Sequence, residues 1–388
     1  MKNPIDLAAE AAAFADQYQM LPQGSTVLCA VSGGKDSMAL LSVLQTLAPE
    51  RNLMIHAAHF NHQLRGEESQ RDEDFVSKWC ADHNIPLTIG SGDVAQAAQE
   101  QGKGIEETAR AMRYGFLTET AQEVGAEKIA TAHNADDNAE TVLLHLVRGS
   151  GLDGLTGIPP VRGILIRPLL GVPRIDIEVY LAQENIPHVE DSSNQDTKFA
   201  RNRIRQAILP VMKDLNPAFV STLSANLVHL REDRELLHDM AESVTCEALV
   251  EDGKVSIQAA SLADLPHPIA ARAVKQLLAK AGRFQVSAVH IDQIIELATG
   301  ETPSANLNLP EGLFAWREYE NLVICPAEAI PPSFSLRLLT GPGVFALDNG
   351  WQIEIEETKA PELAPRKQQI FEEGDIDAFA AAVAEALK

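Results

Sequence analysis

The sequence predicts an α/β fold: a doubly wound, mostly parallel sheet, followed by a mainly helical domain and a short β-containing C-terminal region with an acidic tail. Three observations predict this fold. Short apolar runs alternate with helical patterns from residue 26 to 200, and helical spacing dominates after Pro210. The third observation is an Asn-Gly pair between two apolar runs near the end. The expected domains are 1–210, 211–330 and 331–388.

The apolar runs have the length of buried strands. They lie at 26–31, 53–60, 86–89, 128–132 and 164–167. Helical patterns lie between or after them, at 37–47, 71–83, 105–124, 136–147 and 174–184. Such alternation is typical of a parallel sheet, in which ligands bind beyond the carboxyl ends of the strands. We therefore expect the functional side chains in the segments that directly follow these strands.

The rest of the chain is more varied. An amphipathic helix without a signal-peptide core is expected near the N-terminus. Residues 216–250 have the spacing of long helices, and mixed helix and short strand follow through residue 326. Near the end, 344–347 and 351–356 are expected to form a β-hairpin.

The composition is that of an ordinary globular protein, with 388 residues, 45% of them hydrophobic, but the net charge is −23. Such a charge repels nucleic acid, so that any RNA contact needs a local basic patch. The four cysteines form no CxxC pair, which disfavours a zinc site or a disulfide framework. No segment has the length of a membrane span, and we expect a cytoplasmic protein.

A glycine loop follows the first predicted strand and opens a helix. Its residues are Ser32, Gly33, Gly34, Lys35, Asp36 and Ser37. Glycines, free backbone N–H groups and serine hydroxyls at a helix start favour an anion, but the Walker spacing GxxxxGK[ST] is absent. Asp36 would repel a phosphate unless a divalent cation lay between them, which favours a nucleotide with Mg²⁺. The alternative is a glycine turn that only starts a helix.

Three carboxylates follow the fourth predicted strand. Asp136 and Asp137 open a helix, and Glu140 shares their face. So close to a nucleotide loop, they need Mg²⁺, a substrate ammonium or an arginine as counter-charge. His133 ends the strand and is expected to accept a proton near neutral pH. The alternative is that the aspartates are ordinary first-turn residues and that Glu140 is solvated.

Two basic groups are candidates for anion binding. Arg110 and Arg113 share a helical face with Glu106, and the arginine fork suits polyphosphate. A second segment has an excess of cations, which an RNA-backbone contact would need in so acidic a chain. Its cations are Lys198, Arg201, Arg203 and Arg205. A solvated Glu–Arg face and a plain basic helix end are the respective alternatives.

The loop SGGKDS after an apolar strand resembles the signature of the PP-loop, or N-type, ATP pyrophosphatases. With the other motifs, the chain resembles the tRNA(Ile)-lysidine synthetases. The matching pieces, in order between residues 26 and 210, are SGGKDS, HFNHQLRGEES, GIEETARAMRYGF, AHNADDNAET, RGSGLDGLTGI, RPLL, VEDSSN and RNRIR. The resemblance implies an adenine nucleotide alpha hydrolase-like sheet. It also implies adenylation by ATP of the C2 oxygen of the wobble cytidine in a CAU-anticodon isoleucine tRNA. Free L-lysine would then displace AMP.

The resemblance also implies roles for residues. The catalytic set would be Asp36, His133, Asp137 and Arg113. ATP would be bound by the glycine loop with Arg110 and Arg65, and Mg²⁺ by Asp36 through ATP. Lysine would be bound by Asp136, Asp137 and Glu140, and tRNA by Lys198, Arg201, Arg203 and Arg205. Whether the chain forms a homodimer is left open.

Three other functions fit parts of the sequence. A PP-loop tRNA thiolase would need a cysteine pair to carry sulfur, and no CxxC is present. An amidotransferase-like ligase that uses ammonia would leave the basic segment without a role, and no glutaminase nucleophile context is found. A non-enzymatic nucleotide sensor would leave His133, Asp137 and Glu140 without a role. The lysidine synthetase resemblance accounts for all of these residues.

Overall fold

The computed structural model describes residues 5–64, 66–190, 200–251, 253–282, 286–300, 304–326, 342–346 and 352–355. By its internal contacts, the chain divides into two compact units, Met1–Met240 and Ala241–Lys388. The division into three domains at residues 210 and 330 stays a prediction.

The first unit begins with α1 (Leu7–Gln17) and continues with strands and helices in alternation. These are β1 (Thr26–Ala30), α2 (Lys35–Arg51), β2 (Met54–Asn61), α3 (Glu67–Asp82), β3 (Leu87–Ser91), α4 (Val94–Gln101), α5 (Ile105–Glu123), β4 (Lys128–Ala130), α6 (Ala135–Val147), α7 (Leu152–Leu155), β5 (Val161–Arg162), β6 (Leu165–Ile166) and α8 (Arg174–Gln183). All five predicted strands and the five predicted helices are present, with ends that differ by a few residues. The sequence did not predict α4, α7 or β5.

The six strands form one sheet in the order β3-β2-β1-β4-β6-β5. All its neighbours are parallel except β5 and β6. β1 lies in the middle of the sheet, and Val27, Leu28 and Cys29 are fully buried. α2 packs on this strand through an apolar side that includes Met38 and Leu41. The doubly wound, mostly parallel sheet predicted from the sequence is confirmed.

Helical structure follows the sheet. α9 (Ala200–Arg203), a π-helical turn (Ile204–Ile208) and α10 (Leu209–Leu215) are contiguous, and α11 (Phe219–Thr245) comes next. Ile204 and Leu209 pack on Ala139 and Leu143 of α6. This contact places the basic segment beside the helix that carries the three predicted carboxylates. None of the described helices is long and apolar enough to cross a membrane.

The second unit contains both helices and an antiparallel sheet. After the end of α11, its elements are β7 (Leu249–Glu251), β8 (Lys254–Gln258), α12 (Ala260–Ala263), α13 (His267–Lys280), α14 (Ala288–Thr299), β9 (Ser304–Leu309), β10 (Leu313–Glu318), β11 (Asn321–Pro326), β12 (Gly343–Ala346) and β13 (Gln352–Ile355). The sheet has the order β7-β8-β11-β10-β9, which the sequence did not predict as a sheet. β12 and β13 form the predicted antiparallel pair, and its turn, 347–350, lies outside the described residues.

Candidate active site

The candidate site lies where β1 and β4 end. These strands are parallel neighbours, with Cys29 opposite Ala130, so their carboxyl ends meet at the same edge of the sheet. The glycine loop 32–37 follows β1, and the segment that starts α6 follows β4. A hydrogen bond joins them directly: Asn134 Nδ2 donates to Asp36 Oδ1 at 3.0 Å. The sheet therefore brings together two motifs that are about 100 residues apart in the sequence.

The glycine loop is held in a shape that only glycine adopts easily. Gly33 has φ +86°, and a Cβ at this position would lie 2.9 Å from Val189 Cγ2. Val189 N donates to Gly33 O at 2.9 Å, which fixes the loop from the side. Gly34 is the N-cap of α2 and offers no side chain to it. The first N–H groups of this helix thus have no side-chain cap at that position, as an anion site requires.

The other loop side chains have defined contacts. The hydroxyl of Ser37 donates to Gly34 O at 2.9 Å and lies 3.1 Å from the hydroxyl of Ser32. Lys35 pairs with Glu178 of α8, with 3.2 Å between Nζ and Oε1. Both side chains of this pair are about two-fifths exposed, so the pair is reachable by solvent. In the unliganded chain, Lys35 is therefore held by α8.

The three carboxylates of α6 are all buried. Asp136 is 3% exposed, Asp137 is 9% and Glu140 is 0%. Asp137 also belongs to a capping box: it donates its backbone N–H to Asn134 Oδ1 at 3.0 Å and accepts from Asn134 N at 3.1 Å. The helix N-terminus and its dipole favour these charges, but buried carboxylates need closer partners.

Arginines and a lysine supply those partners. Glu140 accepts from Arg201 Nε at 3.1 Å and from Arg205 Nε at 2.6 Å, and Arg205 Nη2 lies 3.1 Å from Asp137 Oδ1. Two further cations join them, Arg174 Nη2 at 3.0 Å from Asp137 and Lys213 Nζ at 2.5 Å from Asp136. We call these three carboxylates and four cations the ion-pair network.

The ion-pair network combines two groups of residues for which the sequence predicted separate roles. Arg201 and Arg205, predicted to bind RNA, lie on the carboxylates predicted to bind lysine. Of the three counter-charges left open for those carboxylates, arginine is present beside Asp137 and Glu140, and Lys213 lies beside Asp136. Arg203, which lies between Arg201 and Arg205 in the sequence, is exposed. Lys198 and Arg65, the other predicted ligands, lie outside the described residues.

Asp36 and His133 have strongly perturbed proton affinities. Burial raises the pKa of Asp36 to about 6, although Arg174 and the Asn134 hydrogen bond oppose that shift. Burial also lowers the pKa of His133 to about 3, and the charges of Arg167 and Arg201 lower it further. The imidazole, whose Nδ1 lies 3.1 Å from Thr131 Oγ1, is therefore uncharged and weakly basic at neutral pH. The sequence alone suggested a stronger base.

A group of three arginines lies near His133, and none of them pairs with a carboxylate among the described residues. Arg110 and Arg113 lie against the ring of Tyr114, with guanidinium carbons 4.8 and 5.4 Å from its centroid. Arg167 is 3% exposed and donates to the carbonyl of Pro159 at 2.6 Å. Within the described residues, Arg167 Nε and the Tyr114 hydroxyl are buried without a hydrogen-bond partner. Burial lowers the pKa of Arg113 and of Arg167, and the charge of Arg110 lowers both further.

Comparisons with known proteins show the family to which the chain belongs. The family model described as the PP-loop domain matches residues 7–212, and the one described as the TilS substrate binding domain matches residues 258–323. The tRNA(Ile)-lysidine synthase of Geobacter sulfurreducens is 34% identical over 92% of this chain and 78% of its own. The chain belongs to the tRNA(Ile)-lysidine synthase family.

Two further relatives of this family show where the similarity is distributed. The synthase of Geobacillus kaustophilus is 33% identical over 92% of this chain and 78% of its own. That of Thermotoga sp. RQ2 is 48% identical, but over 51% of this chain and 48% of its own. The resemblance predicted from the motifs is confirmed, and family membership argues against the thiolase and the ammonia-using ligase.

Several residues of the site were not predicted to act there. Asn134 and Arg167 stand inside quoted motifs, yet no role was derived for either. Tyr114 directly follows Arg113, a signal that could have indicated a ring between two arginines of one helix. Arg174 and Lys213 had no such signal, because only the fold places α8 and α10 beside α6.

Proposed function

We propose that this chain ligates L-lysine to C2 of the wobble cytidine in a CAU-anticodon isoleucine tRNA, converting ATP to AMP and pyrophosphate. The observation that carries the proposal is the hydrogen bond between Asn134 and Asp36, which joins a phosphate-binding type of loop to a helix with three buried carboxylates. An adenylating site and an ammonium-binding site would thereby be parts of one centre. Membership of the tRNA(Ile)-lysidine synthase family supports the choice of substrates.

In the first step, the C2 oxygen of the cytidine attacks the α-phosphorus of ATP. The new O–P bond forms as the bond to the bridging α,β oxygen breaks, and pyrophosphate leaves. The N–H groups of the glycine loop and the hydroxyls of Ser32 and Ser37 would bind the phosphates. The guanidinium groups of Arg110, Arg113 and Arg167 would stabilise the charge that collects on the leaving group.

Mg²⁺ fits this site only as a companion of the nucleotide. No group of three or more metal-ligating side chains is found in the described part of the chain, so those residues offer no complete cage. Asp36 supplies one carboxylate next to the loop, which matches a cation bound largely by phosphate oxygens and water. When bound there, Mg²⁺ would neutralise phosphate charge.

In the second step, the ε-amine of lysine attacks C2, and AMP leaves with the electrons of the C2–O bond. The amine must lose its proton before or during the attack. Asp137 and Glu140 would hold the lysine ammonium groups, which requires that Arg201 and Arg205 move or share these carboxylates. His133, kept uncharged by its surroundings, would gain basicity once phosphate charge offsets the nearby arginines.

RNA contact is expected outside the network. Arg203 is exposed and keeps its predicted role toward the tRNA backbone, as does Lys198. Arg201 and Arg205 could serve RNA only by leaving their carboxylates. The unpaired state of all four cysteines agrees with the proposed cytoplasmic location, a reducing compartment.

The proposal is tested with labelled lysine, ATP, Mg²⁺ and an unmodified transcript of the CAU-anticodon isoleucine tRNA. Label should enter the tRNA, and a transcript with uridine at the wobble position should take up none. Asp36→Ala and Asp137→Ala should each abolish the transfer, whereas Asp93→Ala, which removes a cap from exposed α4, should retain it. Tight ATP binding without pyrophosphate release in any mixture would instead indicate a nucleotide sensor.

A further inference from the structure

We infer that Asn134 is a positioning residue that holds the adenylating and the lysine-binding parts of the site in register. The inference rests on the proposed function, because it assigns how two of its components are aligned. Asn134 precedes α6 and is fully buried. It touches a carboxylate from each component: Asp36 of the glycine loop and Asp137 of α6.

Each polar group of Asn134 that bonds in this site has a separate partner atom. Its Oδ1 accepts the Asp137 N–H at 3.0 Å, and its backbone N–H donates to Asp137 Oδ2 at 3.1 Å. Its Nδ2 donates to Asp36 Oδ1 at 3.0 Å. One side chain thus ends a helix and fixes a carboxylate on a loop about 100 residues away in the sequence.

The amide does more than a helix cap requires. Serine and aspartate cap helices about as well as asparagine, since each offers an oxygen to the N3 amide. Neither residue can also donate a hydrogen bond to Asp36 while its oxygen accepts from the Asp137 N–H. An aspartate carboxylate has no donor, and the serine side chain is too short for its hydroxyl to reach both partners as the asparagine amide does. The donor half of Asn134 is therefore specific to the contact with Asp36.

The contact also determines which oxygen of Asp36 remains for a ligand. Oδ1 is occupied by Asn134, and within the described ranges no hydrogen bond is made to Oδ2. A carboxylate held through one oxygen cannot rotate freely, so Oδ2 is presented in one orientation relative to Asp137. Asp36 would bind the cation that accompanies ATP, and Asp137 would bind the lysine ammonium. The fixed orientation of Asp36 therefore sets the position of that cation relative to the ammonium.

The test compares Asn134→Ser, which retains the cap but loses the amide donor, with Asn134→Ala, which loses both. Asp93→Ser is the matched control, because Asp93 caps α4 through the Gln96 N–H and is exposed. Both Asn134 variants should need about ten-fold more Mg²⁺ for half-maximal ATP binding, the effect expected from losing one hydrogen bond to a charged group. Asn134→Ala should lower the thermal unfolding midpoint further than Asn134→Ser does, because it loses the helix cap as well as the amide donor.

A second readout measures alignment directly. The ratio of pyrophosphate released to lysine incorporated should be near one for the wild-type chain and Asp93→Ser, and at least two-fold higher for Asn134→Ser. A mere loss of folded protein would lower both quantities and leave their ratio unchanged. If Asn134→Ser matches the wild type in Mg²⁺ dependence and in this ratio, Asn134 only caps α6, and the inference is wrong. If the wild type incorporates no lysine, the proposed function fails, whereas the Mg²⁺ dependence of ATP binding still decides the role of Asn134.

Discussion

Replacing Glu140 by glutamine tests how strongly the ion-pair network stabilises the first unit. Glu140 has no exposed surface and accepts hydrogen bonds from Arg201 Nε at 3.1 Å and from Arg205 Nε and Nη2 at 2.6 and 2.9 Å. Glutamine has nearly the same shape but no charge, and its amide presents donors toward one of the guanidinium groups. The substitution therefore leaves two arginines without their main counter-charge.

The expected loss is smaller than that for a fully enclosed pair. Breaking a buried ion pair by removing one partner costs about 3–5 kcal/mol. Here, however, the side chains of Arg201 and Arg205 are 35% and 24% exposed, so both can gain water. Arg205 also keeps Asp137 at 3.1 Å. We therefore expect Glu140→Gln to lower the free energy of unfolding of the first unit by about 3 kcal/mol, at the low end of that range.

Urea unfolding followed by tryptophan fluorescence measures this loss. In a background with Trp316→Phe and Trp351→Phe, the remaining Trp79 lies in the first unit and reports its transition alone. Glu119→Gln, on the exposed side of α5, is the matched control and should change the free energy of unfolding by less than about 0.5 kcal/mol.

A double-mutant cycle with Arg205→Met separates the pair from the effects of each residue. The coupling energy should exceed about 1.5 kcal/mol, as for close, buried charge pairs. If Glu140→Gln unfolds like Glu119→Gln, or if the coupling is near zero, the network does not hold α6 to the basic segment, and the reasoning above is refuted.

Four further outcomes are expected. Added pyrophosphate should raise the pKa of His133 from about 3 toward its ordinary 6.5, because an anion offsets the charge of the arginines. The ¹⁵N chemical shifts of the imidazole ring measure this pKa, and an unchanged titration would show that the anion binds elsewhere. Without an anion, the unfolded chain binds the His133 proton more tightly, so this residue should make the chain less stable as pH falls from about 6.5 to 3. Tyr114→Leu should weaken ATP binding about five-fold by equilibrium dialysis, whereas Tyr114→Phe keeps the ring and should change it little; equal effects would argue against a ring–guanidinium contact. Gly157→Ala should lower the free energy of unfolding by at least 2 kcal/mol in the urea assay, roughly the sum of a positive φ and a Cβ that would overlap Asn138 Oδ1; a wild-type midpoint would show that this loop adapts.

The sheet was predictable because its signals are local. Each of the five predicted strands is a short apolar run followed by a helical pattern, which is typical of buried parallel strands. β5 consists of one apolar residue and one arginine and so forms no apolar run, and α4 follows β3 after a short polar stretch. The antiparallel sheet of the second unit depends on pairings between distant segments, such as β8 with β11, which periodicity does not reveal.

The site was predictable in its parts and not in its assembly. Residue types and spacing gave the glycine loop, the carboxylates of α6 and the basic segment as separate groups. That Arg201 and Arg205 lie on Glu140 depends on how the π-helical turn packs on α6, a tertiary contact with no trace in the local sequence. The exposed state of Arg203, two residues from each, follows from the same helix geometry.

The charge balance of the site explains why an anion should bind before lysine does. Its carboxylates are those of Asp36, Asp136, Asp137 and Glu140, and its paired cations are Arg174, Arg201, Arg205 and Lys213. When all are ionised, these groups cancel, and the cations beside Tyr114 are left as an excess of positive charge. A lysine molecule, with one net positive charge, gains little from such a site, whereas a triphosphate neutralises the excess and weakens the hold of the arginines on α6. Lysine binding should therefore strengthen in the presence of a nonhydrolysable ATP analogue, and equal lysine affinity with and without the analogue would contradict this account.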